Sequence, residues 1–118
     1  MIKLIEKKTL SGEIKKTYEL TQGDSFIFRA YAKQNNSLPL INSIIFKLLD
    51  NDYKILFKKE YVKKDVHNWY LTVKSEETSL WLEGDDYRTE IEVTYADGQV
   101  DTVEKASLKV DPQGKEVQ

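Results

Sequence analysis

The stretch Tyr87-Arg88-Thr89-Glu90-Ile91-Glu92-Val93-Thr94-Tyr95, followed by Ala96-Asp97-Gly98, decides the fold class. Tyr87, Thr89, Ile91, Val93 and Tyr95 alternate with Arg88, Glu90, Glu92 and Thr94. Period-two alternation places successive side chains on opposite faces of a sheet, so this is a strand with one face buried and one solvated. Asp97-Gly98 then reverses the chain, a pair strongly favoured in hairpins because it tolerates positive φ. The returning strand covers residues 99–110, with an irregularity expected at 104–106, where the phase of the apolar positions slips.

The same alternation recurs upstream. Ile2 and Leu4, then residues 14–20, predict two short opening strands joined through Ser11-Gly12. Residues 25–33 place Phe26, Phe28, Ala30 and Ala32 on one face, with Arg29 and Lys33 on the other. Gln34-Asn35-Asn36-Ser37 and Pro39 predict a loop, since proline cannot donate to a ladder. Residues 43–49 form a strand that is apolar on both faces, and Asp50-Asn51-Asp52 turns it into a hairpin with 53–62. Residues 66–74 alternate again, with Trp69, Leu71 and Val73 on one side. At 75–81 the alternation breaks, and Ser75 followed by Glu76 and Glu77 predicts one helical turn capped by the Ser75 hydroxyl.

About seven strands with one short helical turn, and no helix long enough to cross between parallel strands, predict an all-β antiparallel sandwich. Residues 1–112 are expected to form this single domain and 113–118 a polar tail. A chain of 118 residues with seven Tyr, four Phe and two Trp can build one core without covalent help. It has no cysteine, so disulfides and thiolate zinc sites are ruled out. The apolar stretch at Met1 to Ile5 is broken by Lys3, far too short for a signal peptide, and nothing approaches a membrane span; neither export by that route nor membrane insertion is expected.

Charge gives little sign of a nucleic-acid binder. Eighteen basic and twenty acidic residues are interleaved, and Glu60 and Asp65 dilute Lys58-Lys59 and Lys63-Lys64, the densest basic spots. Catalysis finds no foothold either. His67 is the only histidine, and no glycine-flanked serine resembles a nucleophile elbow. Glu76-Glu77, Asp85-Asp86 and the Asp50/Asp52 pair are solvated turn and capping residues, without the apolar pocket that separates two carboxyl pKa values. Glu83, Asp85 and Asp86 lack the ordered spacing of a calcium loop. A non-enzymatic domain without metal or cofactor is expected. Trp69, Tyr70, Trp81 and Tyr87 could form a platform for sugar rings, but Trp on an alternating strand of a small sandwich is usually core. Tyr87 follows the Gly84-Asp85-Asp86 corner, where immunoglobulin-like sandwiches place a tyrosine whose hydroxyl bonds back to the corner.

Taken in order, these features resemble the immunoglobulin-like domain of phage tail and baseplate proteins, notably the N-terminal domain of baseplate upper proteins. The resemblance runs over residues 20–110. It rests on Gly23-Asp24 before the first long strand, Leu71-Thr72-Val73 leading to Thr78 and Leu80, and Gly84 ahead of Tyr87. Asp97-Gly98, Thr102-Val103 and Leu108-Lys109-Val110 complete it. The pattern is departed from at Pro39, near Ala106 and in the spacing from Gly84 to Tyr87. The resemblance implies a virion protein, assembled in the host cytoplasm, that docks on other virion proteins and possesses no catalytic residues.

The sequence thus assigns structural roles to Tyr87, Gly84, Trp69, Asp97 and Gly98, and names Tyr31, Tyr53 and Tyr70 as outward-facing contact residues. The partners expected are other virion proteins, or a second copy, meeting a sheet edge or exposed aromatic face. The opening strand at 2–6 is the expected edge, since lysines protect 53–62. A free-standing carbohydrate-binding module is the alternative.

Overall fold

The computed structural model describes residues 2–8, 10–32 and 40–113. Residues 33–39, with most of the loop expected up to Asn42, and residues 114–118 of the expected tail lie outside the described residues; Ile41 and Asn42 already belong to a strand. The strands are β1 (Lys3–Lys8), β2 (Ile14–Thr21), β3 (Phe26–Tyr31), β4 (Ile41–Leu49), β5 (Ile55–Glu60), β6 (Val62–Lys63) and β7 (Asn68–Val73). A single helical turn, α1 (Ser75–Thr78), precedes β8 (Gly84–Tyr95) and β9 (Val100–Asp111). Among the described residues no helix is long and apolar enough to cross a membrane.

Two sheets face each other. One runs β1-β2-β9-β8-β4-β5 and the other β3-β7-β6. All pairings are antiparallel except β2 with β9, which is parallel. This is an immunoglobulin-like β-sandwich, as the alternating segments predict. Its core is aromatic across the gap between sheets: the Phe26 ring centroid lies 6.3 Å from Phe46 and 5.9 Å from Trp81, and Phe28 lies 5.9 Å from Phe46. Leu71 and Val73 are fully buried among them. Truncating Leu71 to Ala costs about 3 kcal/mol, through lost transfer energy and the cavity left behind.

Three local expectations need correction. Residues 53–62 are not one strand. Tyr61 is buried and its N–H makes the last bond to the large sheet, to Ile44 O at 2.8 Å; beyond it Val62 and Lys63 pair with β7 in the other sheet. The irregularity in β9 lies earlier than 104–106. Ile91 pairs with Glu104 but Glu92 with Thr102, so Val103 is the extra residue. That bulge turns Glu104 to the inner face, where it accepts the Tyr18 hydroxyl at 2.6 Å. Ser75 does not cap α1. Lys74 is the N-cap residue, and the Ser75 hydroxyl instead donates to Gly23 O at 2.6 Å.

The β8–β9 hairpin turns through three residues, Ala96-Asp97-Gly98. Gly98 N–H donates to Tyr95 O, Asp97 Oδ1 accepts from Gln99 N–H, and Gly98 sits at φ 89°. A side chain at that φ is strained, which is why glycine closes the turn.

Candidate functional site

The segment joining β7 to β8 forms a corner whose backbone is held from both sides. Thr78 and Trp81 point inward and are buried. Gln22 Nε2 donates to Ser79 O at 3.1 Å and Trp81 O at 2.9 Å, and the Thr78 hydroxyl donates to Asp24 O at 2.8 Å. On the far side the Tyr87 hydroxyl donates to Leu82 O at 2.8 Å, while its ring packs against the core. These bonds fix which side chains the corner turns out. With Thr78 and Trp81 committed to the core, Leu80 and Leu82 project outward, 80% and 71% exposed.

Beside them lies β5, an outer strand of the large sheet. A register shift between Leu48 and Leu49 leaves Leu56 without a partner on β4, and Ile55 and Leu56 are about half exposed. Leu56, Phe57, Leu80, Trp81, Leu82 and Tyr87 line a mainly apolar cleft of about 310 Å³. Glu77 stands at its rim. Lys59 Nζ donates to Glu77 Oε1 at 2.7 Å, and Lys74 N–H donates to the same oxygen at 3.0 Å. These bonds, the one from Lys59 foremost, hold the Glu77 carboxyl below the ordinary carboxylate range. The ion pair also ties β5 to α1, closing one end of the cleft.

An open strand edge next to an apolar cleft can receive an extended segment of another chain: backbone groups continue the ladder while alternate side chains enter the cleft. The lysines of β5 do not block this end. Lys58 and Lys59 occupy the second half of the strand, and Ile55, Leu56 and Phe57 the first.

The expected contact residues fall in two places. Tyr31 and Tyr70 share the outer face of the smaller sheet, diagonally across β3 and β7, since Tyr31 pairs with Asn68 and Arg29 with Tyr70. Their rings are engaged already: Tyr31 stacks on His67 with centroids 5.5 Å apart, and the Lys64 ammonium lies 5.4 Å over Tyr70. Tyr53 is elsewhere, at φ 63° in the β4–β5 turn with the Arg88 guanidinium 4.8 Å over its ring. The opening strand β1 is the opposite outer strand of the large sheet, and it carries Lys3, Lys7 and Lys8.

The sugar platform does not form, because Trp69 and Trp81 are 4% and 6% exposed and belong to the core. His67 Nδ1 lies 2.8 Å from Ala32 O. Among the described residues no three acidic or imidazole groups converge as metal ligands. Tyr87 is half-buried. The corner leucines escaped the sequence reading. Their one signal was Leu80-Trp81-Leu82, an apolar run in a segment without alternation, where only Trp81 is needed by the core.

No protein-family model and no curated protein matches the chain. Among solved structures it is similar to fibronectin(III)-like modules of CbhA from Clostridium thermocellum, at TM-score 0.52 and 13% identity, covering 95% of this chain and 98% of that one. It is also similar to part of the catalytic module of SpuA, described as a multi-modular glycogen-degrading pneumococcal virulence factor. That match has TM-score 0.50 and 12% identity over 69% of this chain, and the aligned part is 11% of that structure. At such identities the likeness concerns fold alone, and it is consistent with the all-β, immunoglobulin-like sandwich described above.

Proposed function

We propose that the protein is a non-enzymatic protein–protein interaction module that docks through the corner cleft and the adjoining β5 edge. The observation that carries this is the exposure of Leu56, Leu80 and Leu82 around one cleft on a corner held in place by Gln22, Thr78 and Tyr87. Scattered exposed leucines are ordinary, but clustered leucines on a fixed backbone offer apolar area at little ordering cost. The finer assignment is a phage or prophage virion protein, assembled in the host cytoplasm, that docks on other virion proteins. Its support is the sequence resemblance at residues 20–110, not the structural neighbours.

Light scattering of the purified protein, alone and mixed with the products of neighbouring genes, tests both levels. A complex with a structural protein that forms with the wild type and is lost in Leu80→Asp/Leu82→Asp supports them. A strict monomer that ignores every such protein and binds a glycan array at micromolar affinity overturns them in favour of a carbohydrate-binding module.

A further inference from the structure

The outer face of the six-stranded sheet carries a row of lysines that only the strand register reveals. Lys7 pairs with Lys15 across β1 and β2. On the parallel pair β2 and β9, Thr17 stands opposite Ser107, so Lys15 and Lys105 lie level; both line one shallow hollow with Arg88. Lys105 pairs with Glu90, Glu90 with Lys47, and Lys47 with Lys58. The row therefore crosses all six strands, about 24 Å at about 4.8 Å per strand, and Glu90 is its one acidic member. Lys47 is ion-paired to Glu92 at 2.7 Å, while Lys7, Lys15, Lys58 and Lys105 are exposed. Like charges directly opposite one another destabilise a sheet, so an isolated copy bears a cost that an anionic surface would remove. Ile5 and Ile45 lie two residues from Lys7 and Lys47 on the same face and add aliphatic surface.

The apolar corner has the complementary chemistry. Residues 75–87 contain five carboxylates, Glu76, Glu77, Glu83, Asp85 and Asp86, and no lysine or arginine. Glu77 is already paired with Lys59, and the other four favour a partner surface that is basic and partly aliphatic, which the lysine row is. Within one copy most of the row lies away from the corner, since Glu90 is six residues along β8 from Gly84, about 20 Å at about 3.4 Å per residue, and only its Lys58 end, on β5, comes near.

We propose that the occupant of the corner is a second copy of this chain, whose lysine row receives Leu80 and Leu82 and faces the surrounding carboxylates. This rests on the corner of the proposed function; the occupant covers the corner with a sheet face and needs no strand added to β5. The contact is head to tail, so each copy retains one free corner or one free face, and association continues into short chains.

Sedimentation velocity tests it, at about 20 mM and about 500 mM salt, since exposed charges are screened strongly at the higher value. The wild-type mass is expected to rise with concentration at low salt and return to monomer at high salt. Lys15→Glu/Lys105→Glu and Asp85→Lys/Asp86→Lys should each remain monomeric, with association weakened about ten-fold or more. An equimolar mixture of the two should associate again, because the acidic corner of the first meets the basic row of the second and the swapped charges of the other contact also oppose one another. Each variant must retain its thermal midpoint; Glu76→Lys/Glu83→Lys replaces the second if it does not. A wild type that stays monomeric at millimolar concentration in low salt overturns self-association, as does a mixture that fails to associate. The isotope-labelled wild type is titrated in parallel with a lysine-flanked peptide of alternating leucine and threonine. Shifted amides at Leu80 and Leu82 beside a strict monomer leave the corner as a site for a different protein. No shift removes the corner reading as well.

Discussion

Gly84 leaves the space that Tyr87 fills: a Cβ at residue 84 would stand 3.1 Å from Cε2 of Tyr87, while the Tyr87 hydroxyl donates to Leu82 O at 2.8 Å. The glycine is thus needed for close approach. Because the hydroxyl bond pins the ring, the ring cannot easily yield to an added methyl. Gly84→Ala is expected to cost about 1–3 kcal/mol by overpacking. Tyr87→Phe should cost about 0.5–1 kcal/mol, since the bond to Leu82 O is lost at a site that water reaches. Once the ring is free to shift, the double variant should cost less than the sum. Denaturant midpoints check this, and strict additivity would show that the two residues do not constrain each other.

Leu80→Ser and Leu82→Ser remove exposed side chains, so each should change stability by less than about 0.5 kcal/mol while weakening association markedly. Trp81→Ala, one residue between them, should cost about 3–5 kcal/mol because its ring packs in the core 5.2 Å from Phe57. Thermal denaturation of the three variants separates the roles. Similar losses at Leu80 and Trp81 would mean that the corner leucines are structural.

The contrast at Leu80-Trp81-Leu82 shows what the sequence made legible. Period-two alternation located nearly every long strand, and Asp97-Gly98 the last hairpin, because both are local properties of the chain. The position of Tyr87 after a glycine corner likewise pointed to its hydroxyl bond. Three features were not legible because they depend on register. Val103 becomes a bulge only against Ile91 and Glu92, the chain changes sheets after Tyr61 only because Val62 and Lys63 find β7 as a partner, and the lysine row exists only when β1, β2, β9, β8, β4 and β5 lie side by side. Lys58-Lys59 and Lys63-Lys64 stood out in the sequence, yet Lys59 is turned inward to Glu77, and Lys63 and Lys64 lie over Trp69 and Tyr70.

Acid sensitivity should follow the Lys59–Glu77 pair. The pair lowers the carboxyl pKa in the folded state from its ordinary 4.5. Its stabilising contribution is present above that value and is lost as pH falls through the lowered one. Glu77→Gln should therefore melt below the wild type at neutral pH, with the difference closing as the pH is taken below the lowered carboxyl pKa. A gap independent of pH would contradict this.

Alkaline behaviour should run the opposite way. Burial first, then the hydrogen bond and charge of Glu104, hold the Tyr18 phenol well above its usual 10.0; burial and the Glu104 charge do the same to Tyr61. Between the unfolded and folded values only the unfolded chain releases these protons. Stability is therefore intact below about pH 10 and falls as pH rises further. Tyr61→Phe should flatten the decline of the thermal midpoint from about pH 9 to about pH 11. Parallel curves for variant and wild type would show that these tyrosines are not its source.

The most direct test of the corner as the contact surface is hydrogen exchange, followed segment by segment on the protein alone and in the complex or assembly it forms. Strand addition at β5 and docking at the corner predict slowed exchange at residues 55–57 and 79–83, with residues 26–31 and 68–72 unchanged. Protection confined to 26–31 and 68–72, the face that carries Tyr31 and Tyr70, would contradict the account and move the contact to the smaller sheet.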